Sequence, residues 1–441
     1  MKKQIRQLIF LVISVVMLNT IIWSDFTNSA NTSGKDTSYQ NFVSSTERVI
    51  QIPGQLSSDN NVVFTKDGGK GLVASFKEEN GGDGRSVYSF NSLTGQIIDK
   101  LDTLSNGSSG VNPTRLTISN DDVLVISAKS NLPDEVDVII VPTNPDGSFA
   151  QNNKVNLAFR VPLAEDEQNL PDEVSLSADG RYGIYSNKTS AFVFSTTSGQ
   201  ITASEQIILE SDLSASNRIE SFTYDANNGR LALVHQQNGI YFVSVYTLTP
   251  EGNLQFERRI RLPKREVIGY GSKLAFDELG SKICLVSSNL GQFSQYDIST
   301  GNLVFKKVID GLAETNKEIA KELPINLEFN SQTGRVFIQK PGHIQKPGHI
   351  QKPGHVAVVD LSNLAIITNI EFNQELSGAA LTANGQKVYV LSGNTLNTFL
   401  VETNEKIESR TLAAKGLNLS LYTQNELLGI AISNGVQLIY Q

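Results

Sequence analysis

The chain has 441 residues, a formal net charge of −8, one cysteine and four histidines. The acidic balance argues against a nucleic-acid partner, and a single thiol excludes an internal disulfide. Gly, Asn and Ser are common beside aliphatic and β-branched residues, a mixture that suits many short strands joined by tight turns.

The N-terminus differs from everything after it. Lys2, Lys3 and Arg6 precede an apolar run from Leu8 to Trp23, and "SDFTNSA" then ends at Ala30. Basic, apolar, then small and polar is the order of a secretory signal, expected over residues 1–30. The run is shorter than the roughly 20 residues of a spanning helix. An uncleaved membrane anchor is the alternative. Cleavage would remove both methionines and the only tryptophan and take the net charge to −10. The expected localisation is therefore secreted, periplasmic or cell-surface, with no stable membrane span after cleavage. Residues 31–45 are polar and poor in aliphatics, and read as a flexible lead-in.

From residue 46 to 441 a repeat dominates. One set of turns reads "NSLTGQ", "NPDGSF", "STTSGQ", "TPEGNL" and "ISTGNL", with Gly95, Gly147, Gly199, Gly252 and Gly301 spaced by 52, 52, 53 and 49 residues. Glycine suits a turn position that needs positive φ. Asparagine is tolerated next best, so Asn363 and Asn404 are expected to fill the same place in later units. A companion set, "KDGGKG", "SADGRY", "ANNGRL", "ELGSKI", "SQTGRV" and "TANGQKV", lies between them. Each unit thus reads strand, glycine turn, strand, hairpin, strand, glycine turn, strand. Units fall near 61–104, 115–159, 173–209, 219–262, 272–309, 325–372 and 378–412. Three strands remain at the C-terminus and one, "ERVIQIPG", at the N-terminus.

Four-stranded units in series predict an all-β fold, a β-propeller. The leftover strands complete an eighth blade shared by the two ends, with Val49–Ile52 pairing with "GVQLIY". Eight blades are counted; seven is the alternative if the last unit is incomplete. "GQKVYVLSGN" (385–394) and "HVAVVDLSN" (355–363) resemble the YVTN-type, WD40-like repeat of exported prokaryotic propellers. That resemblance implies the fold, and it implies surface proteins, lactonase-like enzymes or quinoprotein-like domains as the range of tasks. No "WD" dipeptide occurs, and a mature chain without tryptophan does not match a quinone-docking type.

In the sixth unit, "IQKPGHIQKPGHIQKPGH" (338–355) writes one hexapeptide three times and carries His343, His349 and His355. One "KPGH" suffices for a hairpin. Gly301 to Asn363 spans 62 residues, and removing the 12 residues of two copies restores the 50-residue period. The repeat reads as a duplicated hairpin, an exposed finger. Its histidines are the one metal-site candidate, opposed by Lys340, Lys346 and Lys352. His235 reads as a strand-end residue and Cys284, in "KICLVSS", as a small buried hydrophobe.

Ligands meet propellers near the central channel. That face would carry 77–85, 130–137, 162–173, the finger, and a short amphipathic helix in 310–324 built on Leu312, Ile319 and Leu323. No catalytic set and no cofactor motif is present, so no catalytic or cofactor-binding residue is assigned. The expected function is a non-catalytic binding or scaffold propeller, monomeric, with an unknown protein or surface ligand as partner. A lactonase-like hydrolase using the channel face is the alternative.

Overall fold

The computed structural model describes residues 47–441 apart from 57–60, 76–85, 104–111, 120–121, 130–134, 161–173, 210–211, 213–216, 264–271, 314–324, 331, 343–352, 423 and 425. The signal and lead-in expected over 1–45 lie outside these residues.

Eight four-stranded antiparallel sheets form a β-propeller. Seven are single chain segments taken in order. Blades 1 to 4 run from Val62 to Asp102, Asn112 to Arg160, Val174 to Gln206 and Arg218 to Arg261. Blades 5 to 7 run from Lys273 to Val308, Asn326 to Phe372 and Gly378 to Thr411. Every expected unit matches its blade to within a few residues. In each, the strand order in space is the order in sequence, with the first strand innermost.

Blade 8 is built from both ends. Gly416–Tyr422, Leu427–Ile432 and Gly435–Tyr440 supply its three inner strands, and Glu47–Gln51 its outer one. The register runs from Glu47 opposite Ile439 to Gln51 opposite Gly435, with Val49 facing Gln437. The count of eight and the shared closing blade are thereby settled.

The strand sequences follow from their positions. Side chains of a strand alternate between its two faces, and a blade has a neighbour on each face. In blade 5, Leu285 enters the core shared with blade 4, while Cys284 and Val286 enter the core shared with blade 6. Middle strands are buried on both sides, which is why they read as unbroken apolar runs such as "KICLVS" and "HVAVV". There is no single central core. Eight clusters each join two adjacent blades, and the cluster between blades 8 and 1 packs Ile50, Val436 and Leu438 against Phe64, Val73 and Phe90.

Polar bonds between blades keep the period. Thr202 Oγ1 donates to the Gly252 carbonyl at 2.9 Å, Asn228 Nδ2 to Glu278 at 3.2 Å and Arg335 Nη1 to Gly385 at 2.7 Å, each 50 residues apart. At the closure, Tyr422 and Tyr440 hydroxyls donate to the carbonyls of Lys66 and Ser92 in blade 1. On the other side, Arg410 of blade 7 pairs with Glu47 at 3.2 Å.

The turn glycines Gly95, Gly147, Gly199, Gly252 and Gly301 all hold positive φ, and so does Asn404. Asn363 does not. Leu364 takes the left-handed conformation instead, at φ 56°. The turn places that conformation four residues after its first residue: Gly301 follows Asp297 by four, and Leu364 follows Asp360 by four. Asn363 stands one position early, and its Oδ1 accepts from the Ala365 amide at 3.0 Å. Hairpin geometry, not residue preference, chose the site, against a cost of about 1 kcal/mol for a branched side chain there.

Deleting residues 435–441 removes the strand that Glu47–Gln51 pairs with and exposes two strand edges. The expected outcome is insoluble protein or a stability loss of several kcal/mol, read by denaturant titration; an unchanged midpoint would refute this closure.

Candidate functional site

The innermost strands line the channel. Their middle side chains point toward the following blade, and at this position stand Val63 in blade 1, Ser175 in blade 3, Ala275 in blade 5 and Ala380 in blade 7. Blade 6 places Glu328 there, in the strand Asn326–Asn330. Beside it lies a cavity of about 190 Å³, lined by Glu328, Phe329, Asn330, Gln332, Phe337, Leu381 and Ala383.

Glu328 is exposed on the channel wall, and the protein around it raises its pKa above the ordinary 4.5 by desolvation. Asn326 Nδ2 donates to Oε1 at 3.1 Å and acts in the opposite sense. Asn330 is committed to structure: its Nδ2 donates to the carbonyls of Thr382 at 2.9 Å and Ala383 at 3.0 Å, locking blade 6 to blade 7. The wall therefore offers one carboxyl with a raised pKa, side-chain amides and two phenyl rings. Such a set can hold a polar or cationic group. The sequence signal for it is faint, because "NLEFN" reads as an alternating strand with a solvated glutamate.

The reactive side chains sit elsewhere. Cys284 is fully buried, and burial pushes its thiol up to about 12. Its role as a small buried hydrophobe is the one the sequence suggested. His235 is also buried, near the end of Arg230–Gln237, with Nε2 2.9 Å from Ser244 Oγ. Burial lowers its pKa to about 4, which keeps the ring neutral at pH 7. Neither side chain reaches the channel as a nucleophile or base. A further buried pair, Arg218 and Glu220 at 3.1 Å, stands on the innermost strand of blade 4 and was not foreseen, since a buried pair reads in sequence like any surface pair.

The hexapeptide repeat departs from expectation at its third copy. His355 does not belong to an exposed finger. It lies in the strand Gly354–Asp360, opposite Lys340, and is 2% exposed. Its ring packs on Gly311 in the connection from blade 5 to blade 6, where a β-carbon would come within 1.9 Å of Cε1. Lys340 is buried as well, with Nζ donating to the carbonyls of Gly311 at 3.0 Å and Ala313 at 2.9 Å. Both ends of the repeat are thus blade structure, because glycine at 311 leaves room for an imidazole. His355 Nε2 lies 3.6 Å from Glu371, and burial, its largest influence, lowers its pKa. His343 and His349 lie outside the described residues. Among the described residues no group of three ligating side chains converges. Of the loops expected on the channel face, 77–85, 162–173 and the 130–134 part of 130–137 lie outside the described residues. So does most of the helix expected in 310–324; Leu312 is described and fully buried.

The architecture is that of an eight-bladed β-propeller. No protein-family model matches the chain, and no curated protein matches it in sequence. Solved structures do share the fold. Sqt1 from Saccharomyces cerevisiae aligns with TM-score 0.58 at 10% identity, over 89% of this chain and 97% of that one. A protein from Lactobacillus plantarum gives 0.50 at 14%, over 79% and 98%. Raptor from Chaetomium thermophilum gives 0.51 at 9%, over 89% of this chain and 28% of that one. At these identities the likeness is one of fold.

The raised pKa of Glu328 fixes a sign. Between 4.5 and its folded value the native state binds more protons than the unfolded chain, so stability falls as pH rises through that window. Glu328→Gln is expected to raise the melting temperature at pH 7 and to leave it unchanged below pH 4.5. Equal melting curves at both pH values would place Glu328 in ordinary solvent.

Proposed function

We propose that this chain is an exported, non-catalytic β-propeller acting as a binding or scaffold protein outside the cytoplasm. The observation that carries the binding reading is the Glu328 cavity: an exposed carboxyl with a raised pKa, at a position where Val63, Ser175, Ala275 and Ala380 stand in four other blades, with no Ser, Cys, Lys or His among its lining side chains. The protein around Glu328 disfavours its charged form, and a ligand that supplies a donor or a positive charge offsets that cost. Export is supported by Lys2, Lys3 and Arg6 ahead of the Leu8–Trp23 run. Among the described residues no helix is long and apolar enough to cross a membrane.

The ligand test is a thermal-shift screen of small polar and cationic molecules on wild type and on Glu328→Gln. A shift present in the first and absent in the second supports the reading. Turnover of a lactone by wild type that Glu328→Gln loses would replace it with hydrolysis.

We further propose that the extra copies of the hexapeptide lengthen a hairpin without adding a site. Gly354 sits against the Gly342 amide, so the hairpin stem is already closed at its base. Deleting Ile344–His355 puts His343 in the place of His355 and leaves Pro341–Gly342 as the turn. Stability should be unchanged or slightly higher, since each doubling of loop length costs only about 0.6 kcal/mol. A Zn²⁺- or Ni²⁺-dependent rise in melting temperature, present only in the full repeat, would instead make His343, His349 and His355 a site.

Export has its own readout. Mass spectrometry of protein recovered outside the cytoplasm should find a chain that lacks Trp23 and both methionines; an intact N-terminus would contradict cleavage.

A further inference from the structure

Asparagine is followed by glycine six times, at Asn80, Asn106, Asn228, Asn238, Asn384 and Asn434. Asn80 and Asn106 lie outside the described residues. The pair has a chemistry of its own. Glycine has no β-carbon to shield its nitrogen, so that nitrogen, once its proton passes to hydroxide, attacks Cγ of the asparagine. The N–Cγ bond forms, the Cγ–Nδ2 bond breaks, and ammonia leaves with a proton from water. Water then opens the cyclic imide at either carbonyl, giving aspartate or isoaspartate. The reaction needs a side-chain amide that can turn and a glycine nitrogen that no acceptor holds.

The fold holds three of the four described pairs. Asn228 Nδ2 donates to Asp225 Oδ2 at 2.7 Å and to the Glu278 carbonyl at 3.2 Å. Asn384 Oδ1 accepts from Thr382 Oγ1 at 2.8 Å and from the Gln386 amide at 3.0 Å, while the Gly385 amide donates to the Thr382 carbonyl at 2.8 Å. Asn434 Nδ2 donates to Gln51 Oε1 at 3.1 Å, and Gly435 sits in the closing ladder opposite Gln51 and Ile432. Asn238 differs. With Gly239 it forms the loop between the strands Arg230–Gln237 and Ile240–Leu248, and both residues hold positive φ, 53° and 73°, as an Asn-Gly hairpin turn requires. Both are exposed, and a β-carbon on Gly239 would meet nothing within 4 Å. The Asn238 backbone amide donates to Asn217 Oδ1 at 2.6 Å. Among the described residues neither the Asn238 side chain nor the Gly239 amide makes a hydrogen bond.

We propose that Asn238–Gly239 is a site of spontaneous covalent modification, the first of these four pairs at which the folded protein turns a side-chain amide into a carboxylate. The two products act differently on the hairpin. Aspartate keeps the main chain as it was and tolerates the left-handed conformation. Isoaspartate puts an extra methylene into the main chain of a two-residue loop, and the Gln237–Ile240 and Gln236–Tyr241 pairs beside it lose their register. The next pair inward is the buried His235 with Phe242, whose ring centroids lie 5.6 Å apart. Aspartate therefore adds a charge at the surface, and isoaspartate also loosens the end of the hairpin.

The test incubates the full-length protein in mildly alkaline buffer and follows each asparagine by peptide mass spectrometry. Asn238 should convert about tenfold faster than Asn228, Asn384 or Asn434, the factor that one net hydrogen bond is worth. In denaturant the four should convert at similar rates, because only the Asn-Gly sequence then acts. Hydrogen exchange across 235–242 should quicken in the isoaspartate form alone, and an Asn238→Asp variant should exchange like wild type. Conversion of any held pair as fast as Asn238 in the folded protein would overturn the proposal, and so would a folded ranking equal to the denatured one. An isoaspartate form that exchanges like wild type would overturn the effect assigned to the hairpin.

Discussion

The pairing of Glu47–Gln51 with Gly435–Tyr440 carries the whole ring. Every hydrophobic cluster belongs to two blades at once, so each blade depends on both neighbours. A ring left open at one joint would expose the face that Ile50, Val436 and Leu438 share with Phe64 and Phe90. No disulfide is available, since Cys284 is the one thiol. Closure therefore rests on one antiparallel strand pair, the apolar cluster behind it, and the Tyr422, Tyr440 and Arg410 contacts across its flanks. Interactions between residues 47 and 440 are distant in sequence, and such non-local pairing forms late and at high entropic cost.

Much of this was legible because the chain repeats. Turn glycines about 50 residues apart mark blade after blade, and two-sided burial turns middle strands into apolar runs that alternation alone would not predict. The closing blade followed from counting leftover strands. What stayed hidden depends on neighbours remote in sequence. Leu364 holds a conformation that its residue type disfavours, because the hairpin sets the position. His355 repeats His343 and His349 letter for letter, yet Gly311, 44 residues earlier, makes room to bury it. Glu328 stands beside a cavity whose wall includes Phe337 and the blade 7 residue Leu381, which its own strand sequence does not reveal.

The channel wall at Glu328 is concave and suits a small polar or charged group. Inner strands of each sheet face the channel while the middle strands hold the ring. On this account the duplicated hexapeptide does not alter that wall. It lengthens a hairpin whose base, Lys340 and His355, is fastened to the Gly311 connection.

Native-state hydrogen exchange tests the closure most directly. If the terminal strands lock the ring, amides in 47–51 and 435–440 exchange only with global unfolding, as slowly as those of the middle strand 427–432. Rapid exchange of 47–51, with 427–432 still protected, would show that the N-terminal strand is dispensable to the ring and would contradict the account.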